Sequence, residues 1–205
     1  MKPIDDFLPL ILPRAPGCPE PIAFDAIRQA AIEFCERTRI WRDTDQFMAD
    51  EFGDIFAPAQ SVIHQIEAAR FDGHRLTTVS VQDMNERYPD YDWATQSGDQ
   101  PKYITQIHPN TVKIVPAWEG MITMTILLKP SNDAQELPDF IFDQYARTIA
   151  DGALAEILMI PGQPYTNPQG GAMHSQRFQQ RLDALQAMSI KGQQRAPIRT
   201  TPSYF

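Results

Sequence analysis

The 205-residue sequence predicts an α+β fold. It has a helical core of three main helices, one N-terminal and two C-terminal, and a β-rich antiparallel insertion between them. Extended arms are expected at both ends. Three observations carry this expectation. Apolar residues recur at helical spacing towards both ends of the chain, while period-two alternation is confined to the middle. Eighteen prolines against ten glycines make the connections stiff rather than flexible. With 42% hydrophobic and 21% charged residues the chain can bury a core, and its length suits one domain carrying an insertion. The expected layout is a single domain over 1–205. It divides into an N-terminal arm (1–22), the helical core (23–42 and 137–189), the insertion (43–136) and a C-terminal arm (190–205).

Residues 1–22 contain Pro3, Pro9, Pro13, Pro16, Pro19 and Pro21, which forbid a long helix. Apolar Phe7, Leu8, Leu10, Ile11 and Leu12 make the segment an extended arm lying on a surface. Ala23–Trp41 is the first helix, with Phe24, Ile27, Ala31 and Phe34 on one face. The pattern then changes period. Gln65–Arg70 and Arg75–Ser80 flank Asp72-Gly73, a strong hairpin signal. Ser80 caps a short helix over Val81–Tyr88, and turn residues follow to Pro101. Ile104–Ile107, Thr111–Val115 and Met121–Leu128 are strands, the last with Ile122, Met124 and Ile126 alternating against polar neighbours.

Helical spacing returns after Leu137. Pro138 suits a first helical turn, and Phe142, Tyr145, Ile149, Ala153 and Ile157 share a face up to the stop at Pro161-Gly162. Gly152 in mid-helix costs ~1 kcal/mol against Ala, which points to close helix packing. Asn167-Pro168 opens a last helix to about Ser189, with Phe178, Leu182, Leu185 and Met188 as its stripe. Gly192 and Pro197 end it near Lys191. The C-terminal arm then carries Arg195, Arg199, Tyr204 and Phe205 with no acidic side chain. Such a segment can lie extended in a groove, pairing its arginines with carboxylates and burying its terminal aromatics.

Charge is unevenly spread over a net −8. Asp43–Asp99 holds twelve acidic residues against Arg70, Arg75 and Arg87, whereas from Met173 onward five basic residues face Asp183 alone. An acidic body with a basic tail argues against a general nucleic-acid binder and permits a tail that docks on an acidic partner. Plain solvation of the charges accounts for the same counts. The longest apolar run, Ala153–Ile160, is too short for a membrane span and contains Glu156. Asp5, Asp6, Pro9 and Pro13 argue against a signal peptide around Phe7–Leu12.

The sequence offers no catalytic, cofactor or metal motif. His64, His74, His108 and His174 form no ligand spacing, and Cys18 and Cys35 form no CxxC pair and read as reduced thiols. Gly170-Gly171 follows a helix cap rather than a strand, so it is no phosphate loop, and no GxSxG elbow occurs. His174 and Ser175 are helix neighbours that point apart. Asp139 and Asp143 suit a helix N-terminus without catalysis. Asp90 and Asp92 beside Trp93 imitate a sugar site or form an interaction loop. Trp41, Trp93, Trp118, Tyr88, Tyr91, Tyr103 and Tyr165 fit an interface or cap the ends of the sheet.

Two stretches suggest a family. Ala31-Ile-Glu-Phe-Cys-Glu-Arg-Thr-Arg-Ile-Trp41 resembles the first helix of tailed-phage head-to-tail adaptors. The run from Ile149 to Pro168, with the helix after it, resembles their C-terminal part. The order of elements is similar too, while the insertion matches in character rather than in residues. The resemblance implies a structural virion protein rather than an enzyme. Such a protein forms a ring, usually of twelve copies, between the portal protein ring and the tail nozzle or tube, in the virion neck. It is assembled in the host cytoplasm, and DNA passes through it without specific binding. Neither a cofactor nor a membrane is implied, and Arg195, Arg199, Tyr204 and Phe205 become a candidate portal-binding arm. A stopper or tube-end protein, a glycan-acting enzyme and a binding module with no virion role are the rival expectations.

Overall fold

A proline in the first turn of a helix forfeits no hydrogen bond, and that rule shapes the start of this chain. A computed structural model describes residues 1–50, 54–56, 60–89, 92–94, 98 and 100–189, without the side chains of 54–56 and 187–189. Its first elements are β1 (Lys2–Pro3), a 3-10 turn (Ile4–Phe7), α1 (Leu8–Ile11) and α2 (Glu20–Thr38). Strands β2 (Arg42–Ala49), β3 (Asp54–Phe56), β4 (Ser61–Phe71) and β5 (His74–Thr78) follow, then α3 (Val81–Arg87). Next come β6 (Tyr103–His108), β7 (Thr111–Val115), β8 (Gly120–Pro130) and β9 (Glu136–Leu137). Helices α4 (Asp139–Ile157) and α5 (Pro168–Ser189) complete the order. The fold is mixed α+β. Two compact units divide it: Trp41–Ser131, and Met1–Ile40 with the chain from Asn132 onward.

In the helical unit the N-terminal arm is not extended. Residues 4–11 form consecutive helical turns, with Pro9 among the first residues of α1. Ile4, Phe7, Ile11, Ala15 and Cys18 are buried, and Phe7 meets Phe142 of α4 edge to face at 5.0 Å. The prolines therefore punctuate short turns that bury apolar side chains, rather than holding the chain straight. Pro19 caps α2 and Pro21 sits in its first turn, so the helix starts three residues before Ala23.

Helix α2 also stops early, at Thr38. Arg39 turns left-handed (φ 53°) and its N–H bonds the Cys35 carbonyl at 2.9 Å, closing the C-terminus before Trp41. Ile27, Ala31 and Phe34 are buried as the spacing predicts, whereas Phe24 is only half-buried. Pro138 lies one residue outside α4 as its cap, and α5 begins where Asn167 Oδ1 accepts the Gly170 N–H at 3.0 Å. A Cβ on Gly152 of α4 would stand 2.9 Å from Ala30 Cβ of α2 and 3.0 Å from Phe178 Cζ of α5. All three helices meet at that glycine. Phe34 and Tyr145 add a ring contact at 5.1 Å.

In the sheet unit, seven strands among the described residues run in the order β2-β8-β4-β5-β6-β7-β3. Asp72 and Gly73 both adopt positive φ (46° and 80°), as a two-residue hairpin turn requires, and join β4 to β5. The hairpin is the smaller part of β4. Along its length β4 pairs with β8, with register shifts at His64 and Glu67 that the sequence does not signal. Pairing is antiparallel except between β5 and β6, which α3 and its following loop connect in parallel. Ile122, Met124 and Ile126 all point into the core with Ile63, Phe71, Leu76, Ile104 and Ile114. Asn110 is more than a turn residue. Its amide donates to the Ser61 carbonyl at 2.8 Å and accepts from the Ile63 N–H at 2.9 Å, fixing the start of β4.

Candidate assembly surfaces

Among the described residues no three His, Cys, Asp or Glu side chains are grouped to hold a metal ion. No described helix is long and apolar enough to cross a membrane. Cys18 and Cys35 are both buried and unbridged, and burial pushes the Cys35 thiol well above its ordinary range. His174 is buried with Nδ1 2.7 Å from Asp151 Oδ1, a helix-to-helix polar pair that sequence spacing could not find. Ser175 faces a different recess from Asp151 and completes no dyad.

The sugar-site constellation does not form around Trp93. Its ring is buried among Met84 and Val115, and Nε1 donates to Asn85 Oδ1 at 2.7 Å, which leaves no face for a sugar to stack on. Asp92 Oδ1 accepts the Ala94 N–H at 3.2 Å, and Asp90 and Tyr91 lie outside the described residues. Tyr88 and Tyr103 pack beside the same cluster, Tyr165 is buried, and Trp41 packs on the sheet core. Of the seven aromatics that fit either an interface or the ends of the sheet, Trp118 is the exposed one among the described residues, at 46%.

Three surfaces among the described residues suit packing against another protein. Met48 and Met121 are cross-strand partners on β2 and β8 and, like the nearby Trp118, are exposed. Edge strand β2 presents Asp43, Thr44, Asp45 and Gln46 to solvent. In the helical unit a groove of about 430 Å³ has Gly152, Ala155, Gly171 and Phe178 as its floor and Glu33 and Glu156 on its rim. Burial, then the nearby Glu33 and Asp25 carboxylates, raises the Glu156 carboxyl above its ordinary range. Chemically this groove suits a basic segment with apolar anchors. The candidate arm residues Arg195, Arg199, Tyr204 and Phe205 lie outside the described residues.

The described residues thus form two units, one helical and one strand-rich, each with exposed surfaces that suit packing. Residues 6–201 match the sequence model of the SU10 adaptor protein family. The chain belongs to that family. No curated protein matches it. Membership agrees with the head-to-tail adaptor resemblance of the Ala31–Trp41 and Ile149–Pro168 stretches and suggests a phage structural protein of the virion neck. Membership also suggests a structural, non-enzymatic protein that interacts with portal and tail proteins.

Proposed function

We propose that this adaptor is a ring subunit, twelve copies to the ring, that joins the portal vertex of the capsid to the tail nozzle or tube. The observation that carries this reading is the family match over residues 6–201. The ring encloses the DNA exit channel and is assembled in the host cytoplasm. An acidic wall lets DNA slide without sticking, which gives the acid excess of Asp43–Asp99 a purpose. The chain acts as one adaptor domain, with helices α2, α4 and α5 as its helical core and the strand-rich segment as an insertion in the sequence between α2 and α4. No catalysis, cofactor or membrane enters this role.

The C-terminal arm, through Arg195, Arg199, Tyr204 and Phe205, docks on the portal. Its two arginines and terminal aromatics against no acidic side chain support this. The charge of −8 per copy opposes unaided closure, so the chain alone stays a monomer or weak oligomer until a portal platform collects it. Co-sedimentation with the cognate portal ring tests both claims. Deleting residues 193–205 is expected to leave the circular-dichroism spectrum unchanged and to abolish attachment. Wild-type affinity in the truncated chain would move the dock to the helices.

A further inference from the structure

Arg14, which follows α1, Arg147 of α4 and Arg177 of α5 line one recess of about 360 Å³ in the helical unit. Arg14 donates to the Leu10 carbonyl at 2.6 Å, and among the described residues neither Arg147 nor Arg177 has an ion-pair partner. The recess contains one carboxylate, Asp151, and that is held by the buried His174 at 2.7 Å. Three guanidiniums drawn together in a chain of net charge −8 repel one another, and a bound anion relieves that repulsion. We propose that this recess is the receptor for an acidic strand of a second copy of the chain. Resting on the ring reading above, it supplies one half of the contact between neighbours.

Charge complementarity selects the occupant. The acid excess lies in the sheet unit, where Asp43 and Asp45 are exposed on edge strand β2. Residues two apart share a strand face with Cα atoms about 7 Å apart, a spacing at which two carboxylates can each meet a guanidinium. Nucleic acid fits less well. A phosphate backbone needs a track of cations, and this recess is an isolated cluster on an acidic protein. A cationic recess on one unit and an acidic strand on the other make a head-to-tail contact, the kind that closes rings.

Two charge swaps test the pairing: Arg147→Glu with Arg177→Glu, and Asp43→Lys with Asp45→Lys. All four positions are exposed, so each variant is expected to keep the wild-type circular-dichroism spectrum. Electron microscopy on cognate portal rings should show complete wild-type rings. Complete rings should fall on the order of 100-fold in either variant, because like charges then face each other. A 1:1 mixture of the two variants should restore them in alternation. Wild-type rings together with intact rings of the arginine variant would overturn the contact alone. Failure of the mixture would overturn the assignment to Asp43 and Asp45. Loss of random-sequence duplex DNA binding in the arginine variant, with its rings intact, would make the recess a phosphate site. A wild-type chain that never forms rings on portal removes the ring reading itself, and this contact with it.

Discussion

Gly152 and Gly120 each sit at a tight packing point, one in either unit, and they are tight for different reasons. A Cβ on Gly152 would lie 2.9 Å from Ala30 Cβ, an atom fixed to the backbone of the facing helix. On Gly120 it would lie 2.8 Å from the ring of Phe71, itself buried on β4. In the helical unit the glycine sets the distance between two backbones. In the sheet unit it makes room for one large side chain. A mid-helix glycine contradicts its own propensity and so betrays its purpose. One at the end of a strand, after Trp118-Glu119, is indistinguishable from a turn residue.

Truncation of the cores gives the largest expected effects. Phe34→Ala in α2 should lower stability by ~3–5 kcal/mol and Ile126→Ala in β8 by ~2–5 kcal/mol, both read by urea denaturation. A neutral Phe34→Ala would break the assignment of the buried helix faces. Gly120→Ala follows, at ~1–3 kcal/mol, because the Phe71 ring must shift inside a filled core. Gly152→Ala should be milder. Overpacking of ~1–3 kcal/mol is partly offset by the ~1 kcal/mol that Ala gains over Gly in a helix. Should Gly152→Ala stabilise the protein, the helices are not spaced by that residue, and the contrast between the two glycines fails.

The smallest effect is one of pH. Partial desolvation at the groove rim, then the nearby Glu33 and Asp25 carboxylates, raises the Glu156 carboxyl, so the folded chain holds that proton more tightly than the unfolded chain does. Ionising it therefore works against folding, and stability falls as pH rises from the ordinary carboxylate range through the raised value. Glu156→Gln should melt slightly higher than wild type at neutral pH, with the difference vanishing in acid. The same difference at both extremes of pH would mean that charge is not its cause.

Much of the helical unit was legible. The stripe Ile27, Ala31, Phe34, the cap at Asn167 and the close approach at Gly152 depend on spacings within a few turns. The turns of the N-terminal arm were not legible, because prolines forbid long helices and not single turns, and Phe142, against which Phe7 packs, lies far along the chain. In the sheet unit, Asp72-Gly73 and the Ser80 cap were visible as local chemistry. The long β4–β8 pairing, its two register shifts and the clamp by Asn110 were not, since each joins residues roughly fifty or more apart in sequence.

The surfaces follow the same division. By itself the sequence determined where charge accumulates, which residues can turn or cap, and the periods that make helices at the ends and strands in the middle. Those are properties of neighbours a few residues apart, fixed by backbone sterics and side-chain spacing. The tertiary structure alone decided that Trp93 is internal while Trp118 is exposed, that His174 pairs with Asp151, and that Arg14, Arg147 and Arg177 share one recess. Side chains from elements far apart in sequence meet only when helices pack and strands take register, and hydrophobic burial, which is non-directional, selects that arrangement for the whole chain at once.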